Sequence, residues 1–471
     1  MTGRRGAAKP DLAIWGEHQV PGADPVETQV LRRRAGEYFL GAGYADEGLA
    51  TLRDVLRDVG LGLSTSLPRS LLGFAALRLR LRARGLAFRE KSERVAGTRA
   101  LLRVDACYAA AVGLFLVNPI LAAESVARHL LFALEAGEPF RVARALAFEA
   151  AFNAIRGGAA ASTDRFLATA RDIDERLADP RLTGILRLCE SLVAQTAAQF
   201  RRAYDLVVES ESVLRRRSAG VSLEIDLVHS RRADVLWNIG EVAELSRLSP
   251  VLVEEARERG NRYMEMMVHL STGSLVGLVE GRPDRAKEAV AAALDRWPRA
   301  PGSMLHVREI RAQARIALYE GRGHDALAWI ENGLSAARRT GLIFAPSHTA
   351  ELRMLGGLAA LTVGDDAVAA RYTRACARLR FPWAENMART LEVGRARRRG
   401  DVEGAIALLE RARKTAHEFG TVLYEKAMTR RLGAWIGGTG GRARLEEADA
   451  WMAAQGIVDP ARMTAMLLGP E

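Results

Sequence analysis

The stretch 281–344 contains the pattern that decides the fold. It reads GRPDRAKEAVAAALDRW (281–297), PGSMLHVREIRAQARIALYE (301–320) and GRGHDALAWIENGLSAARRTG (321–341), so that turn glycines alternate with long helical runs. Small residues lie five and twelve positions after two of these glycines: Ala286 and Ala293 follow Gly281, and Ala326 and Gly333 follow Gly321. Such residues lie seven apart on one helix face, where they allow a neighbouring helix to approach closely, and the glycine ends the preceding helix in a left-handed conformation.

The same pattern recurs along the chain, with turn glycines from Gly240 onward separated by 41, 40, 43 and 36 residues. At Gly240 the two offsets return Leu245 and Leu252 instead of small residues, which predicts a looser helix contact. At Gly43 the second offset returns Val55. The predicted structural repeat positions are Gly43, Gly48, Gly240, Gly281, Ala286, Ala293, Gly321, Ala326, Gly333, Gly364, Gly400, Ala405 and Ala412.

A helix pair of this kind cannot bury its apolar face alone, so copies must stack on one another. We therefore predict an all-α fold, an α-solenoid in which about twenty helices form a tetratricopeptide-like right-handed superhelix of antiparallel pairs. Residues 1–25 contain three prolines and no helical periodicity, which predicts a flexible N-terminal arm. Residues 26–471 are predicted to form one continuous helical-repeat superhelix.

The amino-acid composition and the net charge limit the classes of function that the chain can have. Hydrophobic residues make up 49% of the chain and charged residues 27%, as in ordinary folded proteins. The net charge is +11, but only five of the 68 basic residues are lysines, a bias typical of a GC-rich bacterial genome. We therefore do not take the charge as evidence for nucleic-acid binding. With no signal-like apolar region and no run of about 18 to 20 apolar residues, we expect a cytoplasmic chain without a membrane partner.

The most basic segment lies between Arg69 and Arg94 and contains seven arginines. Its sequence LRLRLRAR alternates with period two, but Pro68 at a helix start and the helix-forming leucines and arginines favour a helix. Three interpretations stay open for its arginines: contact with nucleic acid, ion pairing within the chain or with a partner, and a solvated helix face. The candidate interaction residues are Arg78, Arg80, Arg82 and Arg84.

Catalytic patterns are absent from the sequence. It contains no GxxxxGK[ST] phosphate loop, no HRD or DFG motif and no HExxH, and its three cysteines lack metal-type spacing. We therefore predict no enzymatic activity, no cofactor, no metal and no small-molecule substrate. His306 and Glu309 lie three apart beside Arg308, which we interpret as a solvated helix face, with ligand contact in a groove as the alternative.

Several runs resemble a known family. They are LRRRAGEYFLGAGYADEGLATLRDVLRDVGLGL (31–63), LLGFAALRLRLRARGLAFRE (71–90), ARHLLFALEAGEPFRVARALAFEAA (127–151) and QGIVDPARMTAMLLGP (455–470). Over about residues 26–470 the chain resembles the C-terminal tetratricopeptide-like region of large bacterial serine/threonine protein kinases of myxobacterial type. In that family a kinase domain and a nucleotide-binding ATPase module precede the helical arm.

The resemblance implies a non-catalytic sensor or docking arm in bacterial signal transduction. Its partner would be a protein or peptide, with a kinase or ATPase module as one candidate. No residue of this chain matches a kinase catalytic position, so the chain is either an independent adaptor or a fragment of a larger kinase. The alternative function is a transcriptional regulator arm that contacts nucleic acid through the basic segment, which we favour less.

Overall fold

The computed structural model describes residues 25–42, 44–62, 67–117, 119–217, 221–295 and 303–471. Within these ranges all regular elements are helices, so the predicted all-α fold of stacked helix pairs is confirmed. The predicted arm at 1–25 lies outside the described residues except for Pro25, and Gly43 also lies outside them. The chain forms two compact units, which are described separately: unit 1 is Met1–Ala145 with Gly260–Tyr263, and unit 2 is Leu146–Arg259 with Met264–Glu471. One continuous superhelix over 26–471 stays a prediction.

Unit 1 consists of helices that pack around apolar residues such as Val55, Leu56 and Leu114. The basic segment with period-two alternation is a helix, α3, as predicted. A seventh helix, α7 (Pro139–Ile155), crosses the boundary between the units. The helices are α1 (Pro25–Ala42), α2 (Ala45–Asp58), α3 (Leu67–Arg84), α4 (Glu93–Ala96), α5 (Thr98–Val117) and α6 (Pro119–Ala136).

Unit 2 continues the helical order to the end of the chain, except that the first two residues of α13, Arg262 and Tyr263, belong to unit 1. A π-helical turn, His269–Gly273, joins α13 to α14, and a short 3₁₀ turn, Leu342–Phe344, precedes α18. The helices are α8 (Ala160–Leu177), α9 (Pro180–Thr196), α10 (Phe200–Arg217), α11 (Ser222–Ile239), α12 (Val242–Glu258), α13 (Arg262–Val268), α14 (Ser274–Val279), α15 (Pro283–Asp295), α16 (Met304–Tyr319), α17 (Gly323–Thr340), α18 (Pro346–Val363), α19 (Asp366–Ala377), α20 (Pro382–Arg398), α21 (Val402–Glu418), α22 (Val422–Ile436), α23 (Gly438–Ala454) and α24 (Pro460–Leu468).

The turn at Gly281 shows how the chain passes from one helix to the next. Gly281 has φ +68°, and the Arg282 N–H donates to the Gly277 carbonyl at 2.8 Å, which satisfies a carbonyl at the end of α14. The same left-handed conformation occurs at the other predicted turn glycines of unit 2. Their φ values are +84° at Gly240, +74° at Gly321, +88° at Gly364 and +83° at Gly400.

The small residues after these turns lie at buried helix contacts. Relative exposure is 0% for Ala286, Ala326, Ala405 and Ala412 and 1% for Ala293. Gly48 and Gly333 are also buried. A Cβ built on Gly333 would lie 2.5 Å from Cδ1 of Ile310, and one built on Gly48 would lie 2.7 Å from Cγ of Leu40. These positions therefore lie where two helices approach closely.

The end of the chain packs against earlier parts of unit 2. Helix α24 contacts α16, α18, α20 and α22, so it lies on the side that these four helices share, which we call the inner surface of unit 2. The Val458 N–H donates to the Val279 carbonyl at 2.9 Å, and the Ala243 N–H donates to Oε1 of Gln455 at 3.0 Å. A Cβ on Gly240 would lie 2.8 Å from the backbone nitrogen of Leu423. The last helices are therefore fixed to the turns at 240 and 281.

Candidate functional site

Charged side chains from three helices, α11, α16 and α18, form ion pairs with one another in unit 2, and α22 lies beside them. Helix α11 provides two of these side chains, α16 provides three and α18 provides one. Helix α22 belongs to the same site because it packs directly on α11. We call this group the inner charge cluster. Its members are Arg231, Asp234, Arg308, Arg311, Arg315 and Glu351.

Asp234 is held by two arginines. Arg308 binds it in a bidentate manner, Nη1 to Oδ1 and Nη2 to Oδ2, both at 2.8 Å, and also donates to Oγ of Ser230 at 3.2 Å. Arg231, one helical turn before Asp234, donates to Oδ2 at 3.4 Å. Burial alone would raise the pKa of Asp234, but Arg308, Arg231 and Arg311 together hold that pKa well below its usual range. Asp234 is therefore ionised.

Glu351 is the second carboxylate of the cluster. Arg311 Nη2 lies 2.5 Å from its Oε2, and Arg315 Nη2 contacts its Oε1. Burial raises the pKa of Glu351, but the two guanidinium groups outweigh burial and lower it. The Arg315 guanidinium also lies over the Trp237 ring, 5.4 Å from the centroid, where a cation is attracted by the ring. Each carboxylate of the cluster thus has two arginine partners.

Two neutral side chains border the inner charge cluster. The pKa of His348 is lowered to about 3, by burial and by the surrounding Arg231, Arg308 and Arg311, so the imidazole is uncharged at neutral pH. Burial, reinforced by the charge of Glu351, raises the pKa of Tyr424 to about 12. The Tyr424 hydroxyl therefore keeps its proton and can donate a hydrogen bond.

The inner charge cluster is enclosed but reachable by solvent. The side chains of Asp234, Arg311 and Glu351 keep 20%, 20% and 19% of their surface exposed, so solvent reaches each of them. Arg308 and Arg315 are almost fully buried, with 6% and 8% exposed. Charged groups that are mostly shielded from water but still partly exposed interact more strongly with a charged ligand than fully exposed groups do.

A second charged network, in unit 1, differs in its balance. Arg141 contacts Asp105, Glu93 and Glu138, and Arg144 Nη2 lies 2.6 Å from Oδ1 of Asp105. Three carboxylates thus face two guanidinium groups. This network has no excess positive charge, so it does not favour an anionic ligand.

The four candidate arginines of the basic segment lie along α3, which packs on α6. Arg80 Nη2 lies 2.9 Å from Oε1 of Glu135, and Arg84 donates to the carbonyls of Gly85, Ala87 and Leu134. Arg82 is exposed and Arg78 is half-buried. Contacts within unit 1 engage Arg80 and Arg84, so these two residues give the nucleic-acid interpretation no support and it stays a prediction.

The candidate interaction residues named from the sequence lie in the basic segment of unit 1 and not in the inner charge cluster. The interpretation of His306 and Glu309 as a solvated face is wrong, because Arg308 and Glu309 are 5% and 3% exposed. The inner charge cluster was not found. Its one sequence signal is the spacing of Arg308, Arg311 and Arg315, which places three arginines on one face of a helix.

Other chemistry is sparse in the described part of the chain. No group of three or more histidine, cysteine or acidic side chains is arranged there to hold a metal ion. Cys107, Cys189 and Cys376 are free and buried, and burial raises the pKa of Cys107 and of Cys376 to about 12. None of the described helices combines the length and apolarity that crossing a membrane requires.

Comparison with known proteins gives a distant structural similarity. No protein-family model matches the sequence, and no curated protein matches it. Among solved structures, the chain is similar to a Rap protein complexed with Competence and Sporulation Factor, with 11% sequence identity and a TM-score of 0.46. The alignment covers 91% of this chain and 99% of that chain.

Proposed function

We propose that this protein is a non-catalytic cytoplasmic scaffold that binds a peptide, or an extended segment of a partner protein, at the inner charge cluster of unit 2. The observation that supports the proposal is the inner charge cluster, where three helices bring ionised groups together at a solvent-reachable place beside α22. Stacked helix pairs offer extended surfaces for such ligands. A small number of charged groups at a binding site fix the orientation of a ligand.

Selection from a random peptide display library against the full chain tests this function. A photoreactive benzoylphenylalanine at Tyr424, beside the inner charge cluster, should cross-link to the selected peptides. The same group at Glu331, an exposed position on α17 with 51% of its side chain accessible, serves as the control and should not cross-link. Failure to select any peptide, or cross-linking from position 331 alone, would contradict the proposal.

The finer proposal is that the ligand belongs to a serine/threonine kinase and ATPase system of bacterial signalling. What supports it is the sequence resemblance over residues 26–470. It predicts that a gene next to this one encodes kinase and ATPase motifs, and that the two purified proteins elute together in size-exclusion chromatography. Separate elution would count against this partner while leaving the peptide-binding function in place. A phosphotransfer assay on this chain alone should be blank, and robust activity would refute the non-catalytic proposal.

A further inference from the structure

The inner charge cluster has more positive than negative charge. Its four guanidinium groups face two carboxylates, and His348 beside them is neutral. Burial, together with the charges of the neighbouring arginines, lowers the pKa of Arg231 and of Arg311 despite the nearby carboxylates, as expected where positive charge is in excess. The site therefore favours an added anion.

Two of the arginines retain binding capacity. Arg231 makes one long contact to Asp234, at 3.4 Å, and its buried Nε–H has no acceptor among the residues that the structure describes. Arg311 approaches Glu351 through one nitrogen, Nη2, and keeps 20% of its side chain exposed. A guanidinium has five N–H donors, so each of these two groups can bind a further planar anion.

We propose that the ligand of the inner charge cluster is an acidic peptide, whose carboxylates bind between Arg231 and Arg311 with the Tyr424 hydroxyl as an added donor. This rests on the proposed peptide-binding function and specifies its ligand class. Carboxylates are the groups that these arginines already bind in the folded chain, at Asp234 and Glu351. A planar carboxylate matches the fork of a guanidinium group and gives strong charge-assisted hydrogen bonds.

The test uses acetylated, amidated hexaglutamate as the probe and hexaglutamine as its neutral counterpart, titrated calorimetrically into the full chain. Hexaglutamate should bind and hexaglutamine should not. R231Q and R311Q should each weaken hexaglutamate binding by at least about tenfold, because each removes a charge-assisted hydrogen bond. R371Q removes the same charge from an exposed pair on α19, with 57% of its side chain accessible, and should change binding by less than about twofold.

Circular dichroism establishes that each variant is folded, and R231Q is the informative variant because Arg308 still holds Asp234. The proposal is overturned if hexaglutamate does not bind, if R371Q weakens binding as much as R231Q, or if inorganic phosphate binds where hexaglutamate does not. Display-selected peptides that cross-link from position 424, lack acidic residues and bind R231Q normally would refute the acidic ligand and leave the scaffold function intact. Absence of any selected peptide would refute the scaffold function itself.

Discussion

Replacement of Gly277 by alanine tests the packing of a repeat joint directly. Gly277 lies in α14 against Ala286 of α15, the predicted small position after the turn at Gly281. A Cβ built on Gly277 would lie 2.5 Å from the backbone nitrogen of Ala286 and 2.9 Å from its Cα. Because both contacts are with backbone, no side-chain rotation relieves them, and the two helices must move apart.

Two opposing effects set the magnitude. Alanine in a helix is favoured over glycine by about 1 kcal/mol. Overpacking of a tight contact costs about 1 to 3 kcal/mol, and a backbone clash belongs at the upper end of that range. We therefore expect G277A to lower the free energy of unfolding by about 2 kcal/mol. Gly440 provides the matched control, because it is helical and a Cβ there would meet nothing within 4 Å.

Urea unfolding followed by circular dichroism measures both variants. G440A should unfold at the same or a slightly higher urea concentration than the wild type, while G277A should unfold at a clearly lower one. A hydrogen-exchange experiment should place the loss of protection of G277A in α14 and α15. If G277A were as stable as G440A, close helix approach at the small positions would not be what stabilises the repeats, and the reasoning would fail.

Three further predictions concern other contacts of unit 2. G240A should lower the free energy of unfolding by about 2 kcal/mol, since alanine is strained at φ +84° and its Cβ would clash with the Leu423 backbone; unchanged urea unfolding would contradict this. Between pH 7 and pH 5 the wild type should lose about 2 kcal/mol more than H348Q, because the unfolded imidazole is protonated below about pH 6.5 and the folded one only below about pH 3. Parallel stability curves of the two proteins would refute this. R431Q removes two donors to backbone carbonyls at the end of the chain, at 2.6 and 2.9 Å, so amide exchange over residues 460–471 should accelerate; unchanged protection would contradict it.

The repeat joints could be read from the sequence because they depend on local residue types. A turn with a positive φ favours glycine, and a close helix contact favours glycine or alanine. Both features therefore appear in the sequence as small residues at fixed distances from one another. One part of that signal was overlooked. The residue four positions before a turn glycine is also small and buried, and in four repeats it is Gly277, Ala317, Ala360 and Ala396.

The candidate site could not be read in the same way. Arg231, Arg308 and Glu351 lie far apart in the sequence and come together only through the packing of α11, α16 and α18. Arginine is also so abundant here that an arginine at helical spacing carries little information. Only the packing of the helices distinguishes Arg308, which is buried against a carboxylate, from an arginine such as Arg371 on an exposed face.

The contacts of the last helices have a consequence for how unit 2 loses its structure. In an open array each repeat touches only its neighbours, so the ends fray first and the middle unfolds independently. Here the hydrogen bonds from Val458 to Val279 and from Ala243 to Gln455 connect repeats that lie about 200 residues apart in the sequence. Deleting the final helices would therefore also expose the early repeats of unit 2 to solvent. Thermal unfolding of unit 2 should be more cooperative than unfolding of an open repeat array.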